Sequence, residues 1–168
     1  MFESQLKLFT QSYNGAIFYN NDAKVDGTIG SKLHLSYYYI DIPYKNCLIY
    51  VEQELGNHNL GKIRVTLEKI SLPIFTITNI NHLVNLFLRK KQILKVDCSN
   101  KFFKHYLKDL LIETNLEKIA KDNLFEPKIS SKIEGENLVI ETIYHLEFEE
   151  KIEALKALIE FYKKLISY

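Results

Sequence analysis

The segment that decides the fold class reads Lys62-Ile63-Arg64-Val65-Thr66-Leu67-Glu68-Lys69, and its side chains alternate between polar and apolar from Lys62 to Glu68. This period of two predicts a β-strand with Ile63, Val65 and Leu67 on one face and the polar residues on the other. A strand of this kind belongs to a sheet with one side against a core and one side against water or a partner.

Further strand signals lie on both sides of this segment. Residues rich in Ile, Val, Tyr and Thr predict strands over Lys32–Ile42, Cys47–Glu54 and Ile74–Thr78, with turn residues at Pro43, Gly56–Gly61 and Pro73 between them. Strands that follow one another this closely indicate an antiparallel meander. Ile93–Asp97 reads as another strand, and Lys128–Ile133 is expected to pair with Leu138–Phe148 in a hairpin across Gly135.

Helical spacing appears at both ends of the chain and in its middle. Phe2, Leu6, Phe9 and Tyr13 form a stripe that predicts a short N-terminal helix. A helical segment is expected from Lys101 to about Asn123, capped by Ser99 or Asn100 and broken near Thr114-Asn115. A short helix carrying Leu83, Leu86 and Phe87 is expected after Asn79 or Asn81. Residues 15–30 are dense in turn formers, so we expect a mobile loop there with at most one short strand, Ala16–Tyr19.

The last helix, Lys151–Tyr168, carries apolar residues over about half of its circumference. So wide a face predicts cover on more than one side and an exposed remainder that a second subunit could share. The order of elements predicts an α+β fold, in which a mostly antiparallel sheet (meander plus C-terminal hairpin) is covered by the N-terminal helix, the central helical segment and the long C-terminal amphipathic helix. The length of 168 residues predicts a single globular domain over 1–168.

The composition argues against several functional classes. Lys and Arg number 22 and Asp and Glu number 21, for a net charge of +1, so no nucleic-acid partner is expected. The most apolar stretch, residues 71–88, is interrupted by Pro73 and by Asn and His residues, so no membrane span is expected. The N-terminus lacks the pattern of a secretory signal, and the two cysteines, Cys47 and Cys98, are far apart, which favours a cytoplasmic protein.

Sequence motifs for catalysis or cofactor binding were not found, so no cofactor and no metal are expected. The chain has no G-x-S-x-G, P-loop, G-x-G-x-x-G or H-E-x-x-H pattern, and no His lies within five residues of another. Cys98 precedes a helix that carries His105 and Asp109, which would suit a nucleophile with its base, but a small buried cysteine explains the same position. The loop Leu55–Gly61 would suit an anion-binding nest, and it would equally suit a plain hairpin connection.

A surface on the polar side of the sheet is the remaining candidate. Alternation places Tyr37 and Tyr39 with Leu33 and Leu35, so Tyr38 is predicted to be exposed on the opposite face beside His34. Tyr50, from the next strand, would join Tyr38 in a contact patch.

Two residues of the neighbouring hairpin extend this candidate surface. If Leu55–Gly61 is the loop, Val51 lies opposite Val65, Ile49 opposite Leu67, and Glu52 opposite Arg64. Glu52 and Arg64 are then either a simple surface ion pair or part of a polar binding site.

The sequence therefore predicts a non-enzymatic protein-interaction or regulatory module. It would bind a protein partner, or a second copy of itself as a dimer, through the solvent-facing side of the sheet or the wide C-terminal helix. The alternative is a small enzyme or small-ligand-binding protein whose site on the polar face combines Tyr38, His34, Tyr50, Glu52 and Arg64. A cleft with convergent ionisable groups would favour this alternative, whereas a flat sheet would favour the interaction module.

Overall fold

The computed structural model of the protein describes residues 2–26, 32–69, 72–80 and 92–168. The helices in these ranges are α1 (Phe2–Gln11), α2 (Lys101–Glu113), α3 (Leu116–Asp122) and α4 (Lys151–Ile166). The strands are β1 (Ile17–Asp26), β2 (Lys32–Tyr44), β3 (Cys47–Leu55), β4 (Leu60–Leu67), β5 (Phe75–Asn79), β6 (Leu94–Cys98), β7 (Lys128–Glu134) and β8 (Asn137–His145).

The eight strands form one sheet in the order β1-β2-β3-β4-β8-β7-β5-β6, and every neighbouring pair is antiparallel. The predicted α+β class with an antiparallel sheet is confirmed. The first four strands form an antiparallel meander, but only β2, β3 and β4 were predicted as its members. The segment of β5, expected to follow β4 in the meander, pairs with β6 and β7 instead, because β8 occupies the edge of β4. The β7–β8 hairpin turns at Gly135 as expected. The hairpin joins the meander through β8, which pairs with β4.

One face of the sheet, here called the covered face, carries most of the buried apolar side chains of the strands. A single row of directly opposed residues crosses it from edge to edge: Phe18, Ile40, Val51, Ile63, Thr142, Ile129, Ile77 and Val96. All of them except Phe18, which is half-buried, and the polar Thr142 are buried apolar residues. The other face, here called the open face, carries the residues that alternate with this row.

The four described helices bury most of their apolar residues in one cluster with the covered face. Phe2 of α1 packs edge-on against Tyr38, with the ring centres 6.2 Å apart, and Phe103 of α2 packs against Phe75 at 5.8 Å. Tyr162 of α4 hydrogen-bonds Thr142 at 2.8 Å. Asn100 caps α2 by accepting a hydrogen bond from the N–H of Phe103, and the predicted break falls between α2 and α3. None of the described helices is both long and apolar enough to cross a membrane.

Two expectations from the sequence are wrong. Residues 17–26, predicted as loop apart from a short strand, form the ten-residue strand β1, because pairing with β2 outweighs the turn preference of Asn20, Asn21 and Asp22. The helix α4 leaves no large apolar side chain exposed, because the sheet and contacts from the other three helices cover its wide face. The predicted short helix with Leu83, Leu86 and Phe87 lies outside the described residues.

The predicted register of the β3–β4 hairpin is also wrong, by two residues. Val51 lies opposite Ile63, Glu52 opposite Lys62, and Tyr50 opposite Arg64. The strands extend further into the predicted loop than expected, so the connection is shortened to residues 56–59. A shift of two keeps every side chain on its predicted face, so Ile63 and Val65 still meet the core.

Candidate functional site

The five residues singled out in the sequence do not form one site. Tyr50, Glu52 and Arg64 lie on the open face, where Glu52 is diagonal to Arg64 and directly opposite Lys62. Tyr38 lies on the covered face and is only 9% exposed, so its predicted exposure is wrong. His34 lies on the same face of β2 as Tyr38, but it is near the start of the strand and is exposed.

The error at Tyr38 has a physical cause in the strand itself. Tyr38, Ile40 and Ile42 alternate in phase, and Ile40 and Ile42 lie opposite Val51 and Ile49 in the core. These residues decide which face of β2 is covered, whereas Leu33 and Leu35, from which the face was inferred, lie near the other end of the strand. The tyrosines on the open face are therefore Tyr37 and Tyr39.

Four tyrosines, here called the tyrosine patch, lie together on the open face of β1, β2 and β3: Tyr19, Tyr37, Tyr39 and Tyr50. Tyr39 is the centre of the patch, and the other three rings stack against it. Its ring centre lies 5.0 Å from that of Tyr19, 6.4 Å from that of Tyr37 and 6.1 Å from that of Tyr50, with interplanar angles of 20°, 9° and 29°. Tyr19 is 42% exposed and the other three are partly exposed, so the patch presents a rigid aromatic surface to solvent.

Burial and nearby carboxylates raise the pKa of three of the four tyrosines of the patch. Partial burial, together with the negative charge of Asp41, raises the pKa of Tyr19 above its ordinary value. Burial and the carboxylate of Glu52 raise the pKa of Tyr39 and Tyr50 in the same way. Asp41 lies between Ile17 and Tyr50 across the strands, and its Oδ1 atom is buried without a hydrogen-bond donor among the described residues. The patch is therefore a set of phenol donors in an acidic setting.

The rest of the open face, on β4, β8 and β7, is built from ion pairs. Arg64 contacts Glu134 at 2.7 Å, Lys62 contacts Glu141 at 3.1 Å, and Lys132 contacts Glu134 at 2.8 Å. Arg64 and Tyr50 line a depression with Leu48 and Thr66, so the two halves of the face meet there. Arg64, Lys62 and Lys132 thus pair with carboxylates of this half, whereas no ion pair of Asp41, Glu52 or Glu54 is found among the described residues.

The two motifs with a possible chemical role have structural explanations. In the β3–β4 connection, the N–H of Gly56 donates to Asn59 Oδ1 at 3.0 Å and the N–H of His58 donates to Glu54 Oε1 at 2.9 Å, so these donors are already used. Cys98 packs against the core, whereas His105 and Asp109 are exposed on α2. Among the described residues, no three His, Cys, Asp or Glu side chains are grouped so that they could hold a metal ion.

Sequence reasoning missed the tyrosine patch because one of its members, Tyr19, lay in a segment predicted to be mostly loop, and two others were assigned to the core. The signal that could have found it is the phase of Ile40 and Ile42, which places Tyr37 and Tyr39 opposite the core side. Comparison with known proteins gives no information on function, since no protein-family model, no curated protein and no solved structure matches the chain.

Proposed function

We propose that the protein is a non-enzymatic interaction module that binds a protein partner through the tyrosine patch. The observation that carries this proposal is the stack of four partly exposed tyrosines on a sheet face where no described helix packs. Tyrosines are enriched at protein interfaces because they supply a large contact area and a hydrogen-bond donor at little conformational entropy.

The charges beside the patch indicate the kind of partner. Asp41, Glu52 and Glu54 lie on the open face next to the tyrosines, and among the described strands Lys62 is the only basic residue directly opposite any of them. A partner surface with Lys or Arg side chains would contact both the carboxylates and the aromatic rings, since cations bind over aromatic faces. The alternative of a small enzyme or ligand-binding protein has less support, because Tyr38 and His34 do not join Tyr50, Glu52 and Arg64.

The proposal is tested by placing a photo-crosslinking amino acid at Tyr39 or Tyr50 in the cells that make the protein. Lys156, exposed on α4, is the control position. We expect the two open-face positions to capture the same discrete protein and the control to capture none. Capture of no protein at Tyr39 or Tyr50, or of the same set as at Lys156, would contradict the proposal.

A pair of variants then tests whether the aromatic side chains make the contact. Tyr39→Ala with Tyr50→Ala is expected to weaken binding of the captured protein by at least about tenfold, because aromatic side chains at interface centres contribute most of the binding energy. Leu8→Ala with Ile112→Ala removes two other exposed apolar side chains and is expected to leave binding unchanged. Thermal unfolding of both double variants shows whether a loss of binding reflects a loss of fold.

A further inference from the structure

The strand β1 is a long edge of the sheet. All ten of its residues pair with β2 in one continuous register, and no described strand pairs with its other side. It contains no proline, glycine or bulge, so its charged residues are the only protection of this edge within the described strand. The other edge strand, β6, has only five residues and carries the ion pair between Lys95 and Asp97.

The side chains that β1 presents on the open face are mainly apolar and exposed. Ile17 is 61% exposed, Tyr19 is 42% exposed and Val25 is 41% exposed, and Ala23 lies between the last two. The charged residues of the strand, Asp22, Lys24 and Asp26, lie on the other side and alternate in sign. Asp22 already accepts a hydrogen bond from Ser36 Oγ at 2.8 Å.

The pattern of β1 is self-complementary when the β1 strand of a second copy runs antiparallel to it with the two Asn21 residues directly opposite each other. This arrangement is here called the register about Asn21. On the open face, Ile17 then lies opposite Val25 of the second copy, and Tyr19 lies opposite Ala23. On the other side, Asn20 faces Asp22 and can donate a hydrogen bond to it, and Phe18 faces Lys24, which suits a cation–π contact. No two like charges are opposed.

The neighbouring registers that keep the covered faces on one side are less favourable. A register centred on Asp22 places the Asp22 side chains of the two copies directly opposite each other, which is unfavourable because both are negatively charged. Pairing about Ala23 or Asn20 leaves part of the strand without a partner, since Ile17 or Val25 then falls opposite residues outside the strand.

We propose that a second copy of the chain pairs with β1 in the register about Asn21, which joins two sheets into one across a two-fold axis. A single strand pair buries less than the roughly 1,200 Å² of a standard interface, so the dimer is weak and forms at high concentration. Because the axis is perpendicular to the sheet, both open faces, each with its tyrosine patch, lie on the same side of the dimer.

The test is the molar mass in solution, measured by sedimentation from about 1 to about 500 µM. The wild-type chain is expected to change from monomer to dimer within this range. Ile17→Lys and Val25→Glu are each expected to weaken the dimer by about tenfold, since each removes an apolar contact made twice across the axis. Ile133→Lys, at an exposed position at the end of β7, is the matched control and is expected to leave the mass unchanged.

The combination of Ile17→Lys with Val25→Glu tests the register. Positions 17 and 25 lie at opposite ends of one strand, so the new charges can meet only between two copies. The double variant is expected to dimerise at least as well as either single variant. A wild type that stays monomeric throughout, a dimer that none of the β1 variants weakens, or losses that multiply in the double variant would each overturn the proposal. These outcomes do not depend on Tyr39 and Tyr50, which test the proposed function separately.

Discussion

Gly61 on β4 provides the space for the ring of Tyr144, its direct neighbour on β8. A Cβ atom on Gly61 would overlap the ring, and it would lie 2.8 Å from the Tyr144 hydroxyl oxygen. The ring is fully buried and packs edge-on against Phe125 with the centres 5.3 Å apart. The Tyr144 hydroxyl oxygen accepts a hydrogen bond at 2.7 Å from Nε2 of the buried Gln53. The glycine is thus required for close approach of an aromatic ring, and not for an unusual backbone angle.

Gly61→Ala is expected to lower the free energy of unfolding by about 1 to 3 kcal/mol, because the added methyl group forces the ring or the strand to move. Urea denaturation measures the loss. In a Tyr144→Ala background the same substitution is expected to have little effect, since the clash is gone. Equal losses in both backgrounds would show that Gly61 is needed for some other reason.

At the scale of elements, α4 holds the two halves of the fold together. Its buried residues are Ala154, Leu155, Ala157, Leu158, Ile159, Phe161, Tyr162 and Leu165. They contact the covered face and the other helices in one cluster, and the Tyr162 hydroxyl reaches both Thr142 and, at 3.3 Å, the carbonyl of Ile63. The helix therefore connects β4 to β8 on the covered face, where the meander meets the hairpin.

Leu158→Ala is expected to lower the free energy of unfolding by about 2 to 5 kcal/mol, because Leu158 is fully buried and the truncation leaves a cavity. Leu8→Ala, on a side chain of α1 that is 66% exposed, is the matched control and is expected to change stability by less than about 0.5 kcal/mol. Chemical denaturation compares the two variants. A Leu158→Ala protein as stable as the wild type would show that this part of α4 is not core.

The elements show how far the sequence alone can predict this fold. Periodicity located most of the strands and all four described helices, because apolar spacing follows directly from which face is buried. The β3–β4 register was wrong by two residues because alternation fixes only the face, and registers that differ by two satisfy it equally. Gly61 and Tyr144 are far apart in the chain, and so are α4 and most of its neighbours. No local sequence pattern predicts contacts of this kind.

At the scale of the whole molecule, the tyrosines determine how the fold responds to alkali. Burial raises the pKa of Tyr144 and Tyr162 well above the ordinary value, and burial with the nearby Glu160 raises the pKa of Tyr13 to about 12. An unfolded chain ionises these groups near pH 10, whereas the native chain keeps them protonated. The stability they contribute is fully present below about pH 10 and is lost as the pH rises further.

We therefore expect cooperative unfolding in the alkaline range above about pH 10, with the phenolate absorbance of the buried tyrosines rising together with the loss of circular dichroism. Tyr144→Phe removes one of these groups, so its stability is expected to fall less steeply with pH than that of the wild type. Its stability at neutral pH is expected to be lower, because Gln53 loses its buried partner. Ionisation of all the tyrosines without unfolding would contradict this account.

The position of β8 between β4 and β7 has a consequence for the growing chain. As the protein is synthesised from its N-terminus, β1 to β4 emerge early and can pair as a local meander. The edge of β4 stays unpaired until β8 is made, and the covered face stays partly exposed until α4, which follows β8 in the sequence, is made. Until then the nascent meander exposes both an apolar surface and an open strand, so this is the stage at which aggregation competes with folding and a chaperone would have the most effect.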